Sequence, residues 1–364
     1  GHRSLADNST ASQNTACGSA ALRSNTTGAY NTASGASALY YNTTGNSNVA
    51  VGRQTLFTNT TGGGNTAVGQ QAFYTNTTGA DNTAIGHQAL YSSTTSSNNT
   101  AIGKSALHTN TTGYENTACG YKALEANTTG NYNTVTGAYA LWSNSTGIHN
   151  TADGTGALLT NTTGDYNTAS GSQALRLNTT GDHNTASGYG ALYTNSTGEE
   201  NTASGYEASY SNTTGSQNVV SGYYAMKLNT TGSSNTAIGY YALYTNTSGV
   251  HNTATGRQAL YSNTTGGYNT ASGYYALRYH TTGEANTGCG GYAGQNITTG
   301  SYNICLGYNA QPSSATVDDE VVLGNNYITT LRCNTQTISS LSDARDKTEV
   351  EPSPLGIDFI NTLN

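Results

Sequence analysis

Residues 25–41 read NTTGAYNTASGASALYY, and residues 42–58 read NTTGNSNVAVGRQTLFT. The two share a seventeen-residue template, N-T-T-G-x-x-N-T-A-x-G-x-x-A-L-Tyr-x, whose places are called positions 1 to 17 below. Position 1 falls at residues 8, 25, 42 and onward by seventeens to 297, giving eighteen frames with no insertion or deletion. A period of this length held without slippage is the mark of a solenoid, in which each repeat is one coil that buries its apolar side chains against its neighbours. The fold class expected is all-β: a parallel β-solenoid, or β-roll, of seventeen-residue coils.

Local chemistry fills in the coil. The glycines at positions 4 and 11, Gly28 and Gly35 in the first stretch, fall where the chain should turn with positive φ. Between them lie two short runs, N-T-A-x and A-L-Tyr-x-N-T, that read as extended, since no 3.6-residue apolar period appears. Stacked in register, Asn at position 7 and Thr at position 8 should form hydrogen-bonded ladders. Position 15 is the apolar anchor: Leu22, Leu39, Leu56, Phe73 and onward. All three prolines, Pro312, Pro352 and Pro354, lie outside the repeats, as expected where each coil must donate its N–H groups.

Composition excludes several function classes. Charged residues make up 9% of the chain, too few for an ordinary charged surface. Residues 1–311 hold nine Lys/Arg and eleven Asp/Glu, whereas residues 312–364 hold three and eight, so most of the net charge of −7 sits in the tail. A near-neutral rod offers no cationic track to nucleic acid or to an anionic membrane. No apolar run approaches a membrane span, and the opening GHRSLADNST does not resemble a signal peptide. Cys17, Cys119 and Cys289 share position 10, six and ten coils apart, which is beyond disulfide reach, and they read as small packing residues. Cys305 falls at position 9, so alternation should point it to the opposite face.

One Leu, one Ala and a variable small residue per coil bury little against the entropy of ordering seventeen residues. The sequence therefore predicts that several chains share a core. Eighteen coils would make a rod on the order of 85 Å long at about 4.8 Å per coil.

The N-T-A-x-G-x-x-A-L element resembles the repeats of trimeric fibre proteins. It is similar to the β-roll heads of trimeric autotransporter adhesins, and closer to the repeat rods of bacteriophage tail fibres and related surface fibres. The resemblance covers about residues 8–310 and implies a homotrimer. Residues 320–364, EVVLGNNYITTLRCNTQTISSLSDARDKTEVEPSPLGIDFINTLN, resemble the junction between a fibre shaft and an endosialidase-type intramolecular chaperone, which is autoproteolytic. That resemblance implies Ser342 as nucleophile and Lys347 as its base, with cleavage at the Ser in a longer precursor. Because the rest of such a chaperone does not follow, no self-cleavage is expected of this chain. The domains expected are a solenoid rod over 1–311, a β-rich shaft junction over 312–341 and the start of a chaperone segment over 342–364.

Three outward features are candidate sites. Position 1 is an N-x-S/T sequon in fifteen of eighteen coils. Asn25, Asn42, Asn59, Asn76, Asn110, Asn127, Asn144, Asn161, Asn178, Asn195, Asn212, Asn229, Asn246 and Asn263 are thus candidate N-glycan acceptors along one edge. The competing reading is that N-T-T-G only supplies turn chemistry. Tyrosines cluster at positions 12, 13 and 16, and Tyr189, Tyr206, Tyr223, Tyr240 and Tyr274 make a candidate contact surface for carbohydrate or protein, or else a ladder that stiffens the rod. His149, His183 and His251 share position 6 but sit two and four coils apart, roughly 10–20 Å, too far for a common metal. No metal, cofactor or enzymatic activity is expected. A threonine array could bind ice, but Thr stacks singly at position 8 and position 10 is rarely Thr.

The function expected is structural: a fibre, extracellular or on a virion surface, that projects a contact surface toward a host receptor or glycan. The alternative within this architecture is a cellular extracellular filament or adhesin, N-glycosylated along one edge. An ice-binding solenoid comes third.

Overall fold

In a computed structural model the described residues are 1–330 and 332. Ser342 and Lys347, the pair implied by the chaperone resemblance, lie outside them. Nineteen three-residue strands run from β1 (Thr15–Cys17) and β2 (Thr32–Ser34) to β18 (Ile304–Leu306) and β19 (Val321–Leu323), all in one parallel sheet. Each strand pairs with the next at an offset of seventeen residues, as in Thr15↔Thr32, Ala16↔Ala33 and Cys17↔Ser34. The chain is therefore an all-β parallel solenoid, with no helix among the described residues.

The coil pattern reaches beyond the frames legible in the sequence. Gly1 packs against Gly18 as a position-11 glycine does, and Leu5 donates its N–H to Ala21 O just as Leu22 donates to Ala38 O. At the other end β19 keeps the register, Ile304↔Val321. One compact unit thus spans Gly1–Asn325, and the expected boundary at residue 311 moves outward by most of a coil.

Only positions 8–10 are strand. The second run expected to be extended, A-L-Tyr-x-N-T, is instead a series of turns, because position 15 is left-handed: Leu22, Leu39 and Leu56 each have φ of 49°. Positions 6 and 13 are left-handed as well, with Tyr30 at 62° and Ser37 at 58°. Such backbone costs about 1–2 kcal/mol per non-glycine residue. What holds it is the neighbouring coils: Leu39 N–H reaches Thr55 O at 3.0 Å in the coil after, and Ser37 N–H reaches Ser19 O at 2.9 Å in the coil before. Of the two template glycines, only position 11 has positive φ, 142° at Gly35. Position 4 is glycine for room: a Cβ on Gly28 would lie 2.3 Å from Gly45 O and 2.7 Å from Asn25 Oδ1.

Ala at positions 9 and 14 and Leu at position 15 fill the interior, with Ala33, Ala38 and Leu39 wholly buried within a single chain. The expectation that the anchor Leu needs a core shared between chains does not hold, since each Leu is covered by its own coil and the two beside it. Buried polar ladders supplement this narrow core. At position 7, Asn48 Nδ2 donates to Asn31 Oδ1 at 3.1 Å and to Gly62 O at 2.9 Å. The hydroxyl partner is the Thr of position 2, not of position 8: Thr43 Oγ1 donates to Thr60 O at 3.0 Å. Position 8 faces outward.

Candidate contact surface

The position-1 asparagines form an internal ladder. Asn42 Nδ2 donates to Asn25 Oδ1 at 2.8 Å and to Gly45 O at 3.0 Å. The same pair of bonds recurs at Asn178, 2.7 Å to Asn161 Oδ1 and 2.9 Å to Gly181 O. All fourteen asparagines from Asn25 to Asn263 proposed above as glycan acceptors have no exposed surface. The nitrogen that a glycan would occupy is spent on two hydrogen bonds inside the coil, so the glycosylation expectation fails for the folded rod and N-T-T-G is structural chemistry. Ser93 and His280 interrupt the ladder. His280 repairs its gap, with Nδ1 3.0 Å from Asn263 Oδ1 and Nε2 3.1 Å from Asn286 Nδ2. Burial pushes its pKa down to about 4.

The outward rows are where side chains meet solvent. Tyr189, Tyr206, Tyr223 and Tyr240 stack at successive ring-centroid distances of 5.3, 5.3 and 5.5 Å, with planes within 15° of parallel. Arg257 supplies the next rung, its guanidinium 5.4 Å from the Tyr240 ring and 5.8 Å from that of Tyr274. These five tyrosines are 39–45% exposed. Their faces are turned to one another, so solvent meets ring edges and hydroxyls rather than the flat π surface that a sugar ring stacks upon. The Tyr224 hydroxyl is held protonated, its pKa raised by its hydrogen bond to Tyr223 and then by burial. Lys227 lies 4.1 Å over the Tyr224 ring and pairs with Glu207 at 2.6 Å.

A second stacked row runs along position 6, where weighing the histidines as metal ligands does not find it. Tyr132, His149, Tyr166 and His183 stack at 4.7, 4.9 and 5.1 Å. His251 stacks on Tyr268 at 4.8 Å. The signal lay in the sequence: position 6 alternates Tyr and His over those four coils. No group of three or more His, Cys, Asp or Glu among the described residues could hold a metal.

The strand face carries positions 8 and 10, both outward, with position 9 inward. Cys17, Cys119 and Cys289 are therefore exposed, contrary to the packing role expected of them. Cys305, at position 9, is buried as alternation required, and burial raises its thiol to about 11. Along position 10 the face changes character, from Val51, Val68, Ile85 and Ile102 to Ser170, Ser187, Ser204 and Ser221. No family model matches the chain, and no curated protein matches it.

Proposed function

We propose that this chain is a structural rod, a fibre segment that assembles as a homotrimer outside the cell or on a virion and turns its side-chain rows toward a receptor or glycan. The observation that carries this reading is the unbroken seventeen-residue register of nineteen strands around a core one Leu wide. Among the described residues the interior of the coils is filled by Ala, Leu and Asn side chains, so the side chains offered to a partner are those of the outward rows. The branched apolar row Val51–Val68–Ile85–Ile102, with three of its members 38–39% exposed, is surface that one chain leaves uncovered and a second could cover. Analytical ultracentrifugation of the full chain tests the assembly. An elongated species of three chains is expected, and a monomer at micromolar concentration would overturn the trimeric fibre.

The N-glycosylated filament loses its support with the burial of the position-1 asparagines. The ice-binding alternative is favoured by one observation, the outward file of Thr at position 8. That file is broken at Val49, Val219 and Ile304 and flanked by a position 10 that includes Asp153. Ice recrystallisation inhibition by the full chain would be expected to be absent; activity at micromolar protein would restore it over the fibre.

A further inference from the structure

The strand face carries thiols that the fold does not use. Cys17, Cys119 and Cys289 are all exposed at position 10, so they stand in one file along one face of the rod. Six coils separate the first two and ten the next, about 29 and 48 Å at about 4.8 Å per coil. None can reach another within one chain.

The face they share is nearly uncharged and partly apolar. Positions 8 and 10 of the nineteen strands hold a single charged residue, Asp153. Val51, Ile85 and Ile102 are exposed toward one end, and Ile304, Leu306, Val321 and Leu323 toward the other. Thr and Ser fill most of the stretch between them. Nineteen strands about 4.8 Å apart and three residues wide make a face of about 90 by 10 Å, or about 900 Å² per chain. A stable interface of standard size takes about 800 Å² from each partner. The face is large enough for one, and a second copy of this chain matches its pattern.

Direction and register follow from the order of residues. Two copies laid parallel without offset set Val51, Val68, Ile85 and Ile102 each against its own counterpart, and Leu306 and Leu323 likewise. Each thiol then meets the same thiol. With one copy turned end for end and fully overlapped, Val51 meets Cys289, Val68 meets Ser272 and Ile85 meets Thr255. Cys17 then faces Leu323 and Cys119 faces Ser221, so no two thiols meet. A parallel shift of one coil also separates every pair. The unshifted parallel arrangement has one unfavourable meeting, Asp153 with its counterpart.

We propose that this face is covered by the same face of a second copy, parallel and without offset, and that Cys17, Cys119 and Cys289 form interchain disulfides, each with its own counterpart. The proposal rests on the assembly of chains argued above and adds its face, direction and register. Disulfides join opposed sheets in immunoglobulin sandwiches, so the geometry is attainable. The oxidant is a small disulfide such as oxidised glutathione. One chain's thiolate opens it, forming a mixed disulfide and releasing one glutathione thiolate; the second chain's thiolate then displaces the other. Two protein thiols are oxidised, one small disulfide is reduced to two thiols, and both protons pass to the released thiolates. Three chains around one axis form one such bond at each height and leave one thiol, so two heights are needed to join all three. In a reduced single chain the same thiols stay open to reagents.

The experiment oxidises the full chain carrying Cys333→Ser, which removes the one cysteine outside the described residues, with oxidised glutathione at neutral pH. A non-reducing denaturing gel should show two and three joined chains. Peptide mapping should find Cys17–Cys17, Cys119–Cys119 and Cys289–Cys289, links that only two chains can make. Ile85→Glu, on the outward side of its strand, should cut the yield of all three at least tenfold with unchanged circular dichroism. Ultracentrifugation of the same sample separates the two failures. A single chain overturns the fibre reading and this pairing with it. An assembled species that gives no like-with-like links, or gives mixed ones such as Cys17–Cys119, overturns the pairing alone. A yield that Ile85→Glu leaves unchanged also overturns the pairing, and the mapping of the unmutated face decides the matter should that variant fail to fold.

Discussion

His280→Asn should remove an acid-sensitive element from the rod. In the coil from residue 280, His takes the place of the ladder Asn, and its two contacts demand one protonation state. Nδ1–H donates to Asn263 Oδ1, while Nε2 accepts from Asn286 Nδ2. A second proton on Nε2 would face that amide hydrogen inside a site without solvent. Burial accordingly lowers the pKa from 6.5 to about 4. Above pH 6.5 neither the folded nor the unfolded chain carries the proton, and the full stability is present. As pH falls from 6.5 to about 4, the unfolded chain takes the proton and the folded chain does not, so stability is lost over that window and no further below it. The difference, 6.5 minus about 4, at about 1.4 kcal/mol per unit amounts to about 3–4 kcal/mol, of which about 3 is already lost at pH 4. Urea unfolding of wild type and His280→Asn at pH 7.5 and pH 4 isolates it, because every other titrating group is common to both. Asn restores the ladder bonds found in the other coils, so the variants should be nearly equal at pH 7.5, and the variant should be more stable by about 3 kcal/mol at pH 4. Should both lose the same stability between the two pH values, the assignment of a neutral, buried imidazole is wrong.

Asn178→Ala leaves Asn161 Oδ1 without its donor and removes the acceptor of Asn195 Nδ2, while Gly181 O keeps the bond from Asn167 Nδ2, for a cost of about 1–3 kcal/mol in thermal or urea unfolding. Two glycine-to-alanine variants two positions apart in the template should diverge: Gly171→Ala puts a Cβ 2.6 Å from Gly188 O and should cost several-fold more than Gly156→Ala, whose Cβ meets open space. In a Cys333→Ser background, maleimide at pH 7 should label Cys17, Cys119 and Cys289 in the folded chain and Cys305 only after denaturation, counted by intact mass.

The solenoid itself was legible because its signal is translational: eighteen frames without slippage leave few other ways to bury a Leu at every seventeenth residue. The burial of Cys305 followed from the same alternation. What the residues did not disclose is the path of the coil. Leu is among the side chains least expected at φ near 50°, and only hydrogen bonds from the coils above and below hold it there, which no single repeat can reveal. The same nonlocality misled the reading of the core, since an isolated coil is underpacked whereas a stacked one covers Leu39 completely. The sequon at position 1 was ambiguous by composition alone. Its resolution depended on the direction of the Asn side chain, which points inward to the Asn of the coil before and to the Gly three residues on.

The constant offset of seventeen residues between every pair of strands has a consequence for how such a chain changes length. Losing one residue anywhere in the rod would leave one coil of sixteen residues, which can keep its Leu inside and its Asn in file only by distorting a turn. Losing seventeen consecutive residues, begun at any point, rejoins equivalent atoms and leaves nearly every remaining neighbour as it was. Reach is thus a quantity the gene can adjust by unequal recombination in whole turns, without reinventing a single contact.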